Sequence, residues 1–164
     1  MKKVLLFILL IPAVLGAQAI MDVKGSYSRI GYETIGTGHG YSVGTGVYYS
    51  VYDDNDSFMR DFSVGASADY AAALAKGVWY TYIMAGPEFR LEMPYSFFKI
   101  GFGYNYWKVK GLSSIGGMGI KFCAGAIFEV SDEMKLGLDI TVAYKLTRGK
   151  VSIFSIGPVI AMNI

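Results

Sequence analysis

Residues 95–107 alternate large apolar side chains with small or polar ones. The apolar positions are Phe98, Ile100, Phe102, Tyr104 and Tyr106. The positions between them are Lys99, Gly101, Gly103 and Asn105. Because successive side chains of a β-strand point to opposite faces, this pattern predicts a strand with one aromatic face and one small or polar face. A small, polar face cannot form the core of a soluble sandwich, but it suits the lumen of a transmembrane barrel whose aromatic face contacts lipid.

The same alternation recurs along the chain. From Leu136 to Leu146 the even positions are large and apolar, while the odd positions from Gly137 to Thr147 are small or polar. Clusters of Gly, Pro, Asn, Asp and Ser separate such segments and indicate turns. We therefore predict an all-β fold, an eight-stranded antiparallel up-and-down transmembrane β-barrel. The strands are expected at Val23–Tyr32, Tyr41–Tyr52, Arg60–Ala72, Val78–Arg90, Tyr95–Lys108, Met118–Glu129, Met134–Thr147 and Lys150–Met162.

Aromatic residues gather near the predicted strand ends, where a membrane barrel has its interfacial girdles. One expected girdle contains Tyr48, Tyr49, Tyr52, Phe89, Tyr95, Phe97 and Phe128. The other contains Tyr41, Tyr70, Trp79, Tyr104, Tyr106 and Trp107.

The first residues have the pattern of a secretory signal peptide. Lys2 and Lys3 precede an apolar run over residues 4–15, and Gly16-Ala17-Gln18-Ala19 follows with the small-x-small pattern of a cleavage site. That run is too short for a membrane-anchor helix, which needs about 20 residues. We predict cleavage after Ala19, so that residues 1–19 are a signal peptide and residues 20–164 form the barrel.

Composition also favours an exported membrane barrel. Hydrophobic residues make up 53% of the 164 residues and charged residues 17%, against about 25% charged in an ordinary soluble domain. Beyond residue 19 no uninterrupted apolar run has the length of a spanning helix. Because open sheet edges are not tolerated in lipid, a closed barrel is the structure that fits. A soluble lipocalin-like carrier is an alternative, but it needs an apolar interior, which the Lys99 to Asn105 face contradicts.

Three features of the second half of the chain indicate a family. They are Ile100-Gly101-Phe102-Gly103-Tyr104, Gly125-Ala126 ahead of Ser131-Asp132, and the alternating strand up to Leu146. In these features the chain resembles the small eight-stranded outer-membrane barrels related to the OmpA barrel and OmpX. Members usually end in an aromatic residue, whereas this sequence ends in Ile164. The resemblance implies a monomer in the bacterial outer membrane, in contact with its lipids and lipopolysaccharide, which periplasmic chaperones and the barrel-assembly machinery help to fold.

Charged residues occur on the predicted inward face. Eight strands leave an interior that side chains just fill. The inward charges are expected to be Lys24, Arg90, Lys99, Lys121 and Lys145 against Asp69, Glu88, Glu129 and Asp139. Because buried charges are tolerated when paired, we predict a polar network that plugs the lumen. A proton or ion relay is the alternative. Cys123, the single cysteine, is expected on the same face as a small, inert side chain.

The predicted outer end is basic. With both termini in the periplasm, the outer connections and strand tips carry Lys76, Lys108, Lys110, Arg148 and Lys150, with Glu33 as their one acid. The periplasmic turns are mainly acidic. Cations near an anionic leaflet contribute about 1 kcal/mol each, so these basic residues are predicted to bind lipopolysaccharide phosphates. Solvated loops with charges placed by chance are the alternative.

The sequence offers little for catalysis or metal binding. His39 is the only histidine, lies between two glycines in the predicted first outer loop, and is offset from Ser42. Acyl transfer needs a nucleophile and a base within hydrogen-bonding reach, so we predict no catalytic residue. One His and one Cys do not form a zinc site, and neither a metal, a cofactor nor a nucleic acid is expected.

These observations predict a non-enzymatic integral outer-membrane barrel that supports envelope integrity, with a plugged lumen and a basic outer rim. An adhesin or host-interaction barrel is one alternative, although such barrels generally have larger outer loops. A lipid A-modifying enzyme is the other alternative, because some barrels of this size have that activity.

Overall fold

The computed structural model describes residues 19–32, 36–53, 58–111, 114–146 and 151–164. The strands are β1 (Ala19–Tyr32), β2 (Gly36–Asp53), β3 (Asp61–Ala75), β4 (Val78–Met93), β5 (Ser96–Val109), β6 (Ile115–Ser131), β7 (Met134–Lys145) and β8 (Val151–Asn163). Each strand pairs antiparallel with the next, and β8 pairs with β1 to close the barrel. The predicted eight-stranded up-and-down barrel is confirmed. Within the described ranges no helix is long and apolar enough to cross a membrane.

The side chains alternate between the two faces as the sequence pattern indicates. On β5, Phe102 is 40% exposed and Tyr104 is 58% exposed, whereas Lys99 and Asn105 are buried inside the barrel. On β7, Leu138 is 46% exposed while its neighbour Asp139 is fully buried. The polarity of a water-soluble protein is therefore inverted, with large apolar groups outside and charges inside.

The two ends of the barrel differ in their connections. We call the end that carries Ala19 and Ile164 the terminal rim and the opposite end the far rim. Ala19 belongs to β1, and its amide donates a hydrogen bond to the Ile164 carbonyl oxygen at 3.3 Å. The preceding residues 1–18, and with them most of the predicted signal peptide, lie outside the described part of the chain. At the far rim Lys76 and Gly77 join β3 to β4, and their φ angles of 49° and 77° are those of a tight hairpin turn.

Strand β2 begins at Gly36, five residues before the predicted start at Tyr41, so the prediction of a glycine loop around His39 is wrong. His39 pairs with Arg29 of β1 and Leu74 of β3. Close packing explains Gly38 and Gly40 of this segment. A Cβ atom at Gly40 would overlap the Ala72 carbonyl oxygen, and no larger residue fits there without a shift of the backbone.

The interior is layered along the barrel axis. An apolar cluster towards the far rim includes Ile30, Tyr82 and Trp107. A second cluster towards the terminal rim includes Tyr48 and Phe97. Seven buried charged residues lie between these two clusters, and Arg90, Glu92 and Asp61 lie at or beyond the second cluster, towards the terminal rim. Placement of Tyr48, Phe97 and Trp107 in the outer aromatic girdles is therefore wrong, because all three side chains are buried inside the barrel.

Candidate functional site

The middle of the interior holds a set of buried charges, which we call the charge layer. Its members are Asp22, Lys24, Asp69, Glu88, Lys99, Lys121 and Asp139. The Nζ atom of Lys121 lies 2.6 Å from Asp69 Oδ2 and 2.5 Å from Glu88 Oε2. Each of these carboxylates also has a further partner. Asp69 lies 3.2 Å from Lys24 Nζ, and Glu88 accepts a hydrogen bond of 2.6 Å from the Tyr48 hydroxyl.

Lys99 extends the charge layer across the barrel. Its Nζ atom donates to Asp22 at 2.7 Å and lies 3.6 Å from Asp139 Oδ2. It also lies 4.8 Å from the centroid of the Phe97 ring and 5.8 Å from that of Tyr48. A cation within about 6 Å of an aromatic face is attracted to it. Strands from all around the barrel therefore meet in one polar network.

The buried charges nearly balance one another. Among the described residues the buried cations are Lys24, Arg90, Lys99, Lys121 and Lys145, and the buried acids are Asp22, Asp61, Asp69, Glu88, Glu92 and Asp139. Paired charges of this kind offset much of the cost of removing each ion from water.

Arg90 and Glu92 continue the network to the terminal rim. Arg90 Nη2 donates to Glu92 Oε2 at 2.5 Å, and Lys135 also forms an ion pair with Glu92. Glu129, predicted in the lumen, lies instead at the mouth of the barrel with 60% of its side chain exposed. Glu129 occupies a position of β6 at which the side chain should point inward, but the pairing of β6 with β7 shifts register just beyond it. At this rim the Glu129 Oε1 atom lies 3.3 Å from Arg60 Nη1.

Sequence reasoning missed three members of the network. Asp22, Glu92 and Tyr48 are buried and bind Lys99, Arg90 and Glu88, respectively. Strand parity could have found Asp22, because it lies two residues before inward-facing Lys24, and Glu92, because it lies two residues after inward-facing Arg90. The start of β1 and the end of β4 both lie outside the predicted strands, and this hid the signal.

Little open space remains around the charge layer. A cavity of about 10 Å³ lies beside Lys24, Ser42, Asp69 and Lys121. That volume is at the limit of what one water molecule needs. Cys123 is buried in the same region and accepts a hydrogen bond from the Thr141 hydroxyl at 3.2 Å.

The terminal rim opens into a vestibule of about 500 Å³. Its charged lining residues are Asp53, Arg60, Asp61, Glu92, Glu129, Asp132 and Lys135. Acids outnumber bases in this lining. In the described ranges no group of three or more His, Cys, Asp or Glu side chains is arranged to hold a metal ion.

The structure describes three of the five basic residues that the sequence predicts at the outer end. Lys76, Lys108 and Lys110 are exposed at the far rim. Lys108 lies on the outward face of β5, and the Lys110 amide donates to the Trp79 carbonyl oxygen at 3.0 Å. Arg148 and Lys150, like the acidic Glu33, lie outside the described residues.

His39 and Ser42 lie on opposite faces of β2. His39 is exposed, and its Nδ1 atom shares a hydrogen bond with the Tyr27 hydroxyl. Ser42 is buried inside the barrel, where it is bonded to Ser28 at 2.6 Å. The wall of the barrel separates these two side chains, so Ser42 and His39 cannot act together as nucleophile and base.

Comparison with known proteins identifies the fold. No protein-family profile and no curated protein matches the chain. Neisserial surface protein A (NspA) superposes with a TM-score of 0.63 at 14% identity, over 89% of this chain and 97% of that one.

Two further solved structures share the architecture. Ail, the attachment invasion locus protein of Yersinia pestis, was solved with the heparin analogue sucrose octasulfate. It gives a TM-score of 0.53 at 13% identity, over 89% of this chain and 99% of that one. The N-terminal β-barrel domain of Pseudomonas aeruginosa OprF gives a TM-score of 0.50 at 12% identity, over 87% of this chain and 97% of that one. The chain thus has the fold of small eight-stranded outer-membrane barrels.

Proposed function

We propose, from the outer-membrane barrel fold that this chain shares with these proteins, that it is a non-enzymatic integral protein of a bacterial outer membrane. It supports envelope integrity, with a polar network that plugs its lumen and a basic far rim that contacts lipopolysaccharide. The observation that carries this proposal is the inverted polarity of the barrel. Large apolar side chains cover its outside, and ion pairs fill its inside.

A plugged lumen is supported by packing and by pairing. The charge layer is bounded on both sides by apolar clusters, and the cavity within it measures about 10 Å³. Lys121 and Lys99 each lie within 4 Å of two carboxylates. A proton or ion relay needs a continuous hydrated path, and the apolar cluster that holds Trp107 argues against one on the far-rim side.

The far rim suits the outer leaflet. Lys76, Lys108 and Lys110 are exposed there, and none of them forms an ion pair with another described residue. Lys and Arg donate charge-assisted hydrogen bonds to phosphates. The terminal rim has an acidic vestibule, which suits the periplasmic side, where the membrane surface is phospholipid. Arg148 and Lys150 would add to the basic rim.

The two alternative functions have less support. An enzyme would need a nucleophile beside His39, and Ser42 lies on the other side of the barrel wall. An adhesin would need a large exposed surface, but the turn from β3 to β4 contains only Lys76 and Gly77. We propose a monomer whose folding uses periplasmic chaperones and the barrel-assembly machinery, as for other proteins of this fold.

Replacing Lys76, Lys108 and Lys110 together with glutamine should weaken retention of lipopolysaccharide. Each cation near an anionic leaflet contributes about 1 kcal/mol, so the triple variant should lose well over tenfold in affinity. The measurement is the amount of lipopolysaccharide that co-purifies with the folded barrel. Cells that express the variant should also become more permeable to large antibiotics.

The matched control is Arg60→Gln, which removes one partly exposed cation at the terminal rim. It should leave lipopolysaccharide retention unchanged, because that rim is proposed to face the periplasm. If the triple variant folds and retains as much lipopolysaccharide as the parent, the far-rim lysines are simply solvated and this part of the proposal is wrong.

A further inference from the structure

A groove of about 290 Å³ crosses the outer surface of β7, β8, β1 and β2 near the far rim. Its lining includes Arg29, Gly31, Thr37, Tyr144, Ser152 and Phe154. We propose that this groove is a specific binding site for one lipid A phosphate, with the guanidinium of Arg29 as its anchor. The inference rests on the proposed orientation of the far rim in the outer leaflet.

Arg29 is unusual for its position. It is exposed on the outward face of β1, and the adjacent β1 residues on that face are Tyr27 and Gly31. Apart from His39, it is the only basic or acidic side chain on the outward faces of β1, β2, β7 and β8 in the far half of the barrel, counting only described residues. A cation that faces lipid is costly at the membrane midplane and is tolerated near the interface, where an anion can meet it.

No carboxylate of the described residues pairs with Arg29. Its cross-strand neighbours are His39 on β2 and Phe154 on β8. His39 is held by the Tyr27 hydroxyl, and the two rings lie with their centroids 6.0 Å apart. Among the described residues the guanidinium is therefore bordered by aromatic and polar groups, and none of them occupies its donors.

The rest of the groove matches a phosphorylated lipid. Thr37 and Ser152 supply hydroxyl donors on strands β2 and β8, on either side of β1. Phe154 and Tyr144 supply an apolar wall, and they are 42% and 47% exposed. The planar guanidinium of arginine binds phosphate through paired hydrogen bonds. The phosphate would bind between Arg29 and the hydroxyls while an acyl chain lies against the aromatic wall.

The space for this ligand depends on Gly31. A Cβ atom at Gly31 would lie 3.1 Å from the Ser152 hydroxyl, on the floor of the groove. The φ angle of Gly31 is not positive, so the backbone conformation at this position is compatible with a residue that has a side chain. Leucine at this position would fill the groove without removing its charge, and this gives a test of shape that is independent of the test of charge.

This site is separate from the basic far rim. Lys108 lies on β5, four strands away from β1 around the barrel. The side chain of Lys76 approaches Gly36 at the start of β2, but Lys76 does not line the groove. A lipid bound in the groove would be contacted by residues other than these lysines. The two sites can therefore be tested independently in one set of variants.

The experiment measures the binding of purified lipid A to the detergent-solubilised full-length barrel by native mass spectrometry. Arg29→Gln should weaken binding of one lipid A molecule about fivefold, the effect of one interfacial cation. Gly31→Leu should abolish the same binding event, while Arg29→Lys should keep most of it. Parental lipid A binding in folded Arg29→Gln and Gly31→Leu would overturn the site.

Two further arms separate this inference from the proposed function. Lys76→Gln with Lys108→Gln and Lys110→Gln should leave the Arg29-dependent event intact. If that triple variant loses all lipid A while Arg29→Gln loses none, the basic rim is supported and the groove is rejected. Phosphatidylglycerol should bind the groove more weakly than lipid A. Equal, Arg29-dependent binding of both lipids would overturn the assignment to lipid A.

Discussion

Lys121→Met should destabilise the folded barrel by about 3–5 kcal/mol, the usual cost of removing one partner from a buried ion pair. Lys121 is 3% exposed and lies within 2.6 Å of both Asp69 and Glu88. Asp69 would keep Lys24 at 3.2 Å. Glu88 would lose its direct ion-pair partner. The measurement is the free energy of unfolding from a denaturant titration in lipid vesicles.

Two further variants identify the cause of this loss. Lys108→Met removes an exposed lysine from β5, the strand next to the one that carries Lys121. It should change the free energy of unfolding by no more than about 0.5 kcal/mol. Glu88→Gln added to Lys121→Met should restore part of the loss, because it removes the uncompensated carboxylate. If Lys121→Met unfolds at the same denaturant concentration as the parent, the charge layer does not hold the barrel together.

Phe102→Arg should cost about 2–4 kcal/mol of stability, the penalty for a cation on the lipid face near the bilayer midplane. Phe102 lies at the centre of β5, opposite Ile120 of β6, and is 40% exposed on the outer face. A hydrated surface would accept arginine there without loss. Unfolding in lipid vesicles measures the difference.

The matched control is Tyr95→Arg, an aromatic-to-arginine change in the turn between β4 and β5 at the terminal rim. Tyr95 is 72% exposed, and the cost near an interface should be about 0–1 kcal/mol. Equal stability of the Phe102→Arg barrel and the parent would show that the outer face of β5 does not contact hydrocarbon.

The alternation of side chains was enough to predict the fold, because a barrel wall has only two faces and each residue must take one. Lys99 and Phe102 were placed correctly by parity alone. Aromatic clustering was less informative. Tyr48 and Trp107 lie near strand ends as girdle residues do, yet both point inward, where they pack against charges and other rings.

The candidate site was harder to predict because it depends on partners from distant strands. The alternation of side chains correctly placed Lys24 and Asp139 inside the barrel. Their ion pair, with Lys24 Nζ 3.4 Å from Asp139 Oδ1, connects β1 to β7, and no local sequence pattern predicts that contact. Glu129 has the inward parity of β6 but is exposed, because it lies at the terminal rim, where it lines the open vestibule. The position of His39 was misjudged because glycine usually marks loops, whereas close strand packing accounts for Gly40 here.

Membrane fractionation with gel mobility tests the central claim most directly. A folded transmembrane barrel resists detergent until it is heated, so its mobility changes on boiling. We predict that the protein is found in the outer-membrane fraction and shows this heat-dependent shift in mobility. Both results are expected of a barrel with an apolar outer face and an interior filled by ion pairs. Recovery in the soluble fraction, with the same mobility before and after boiling, would contradict the account.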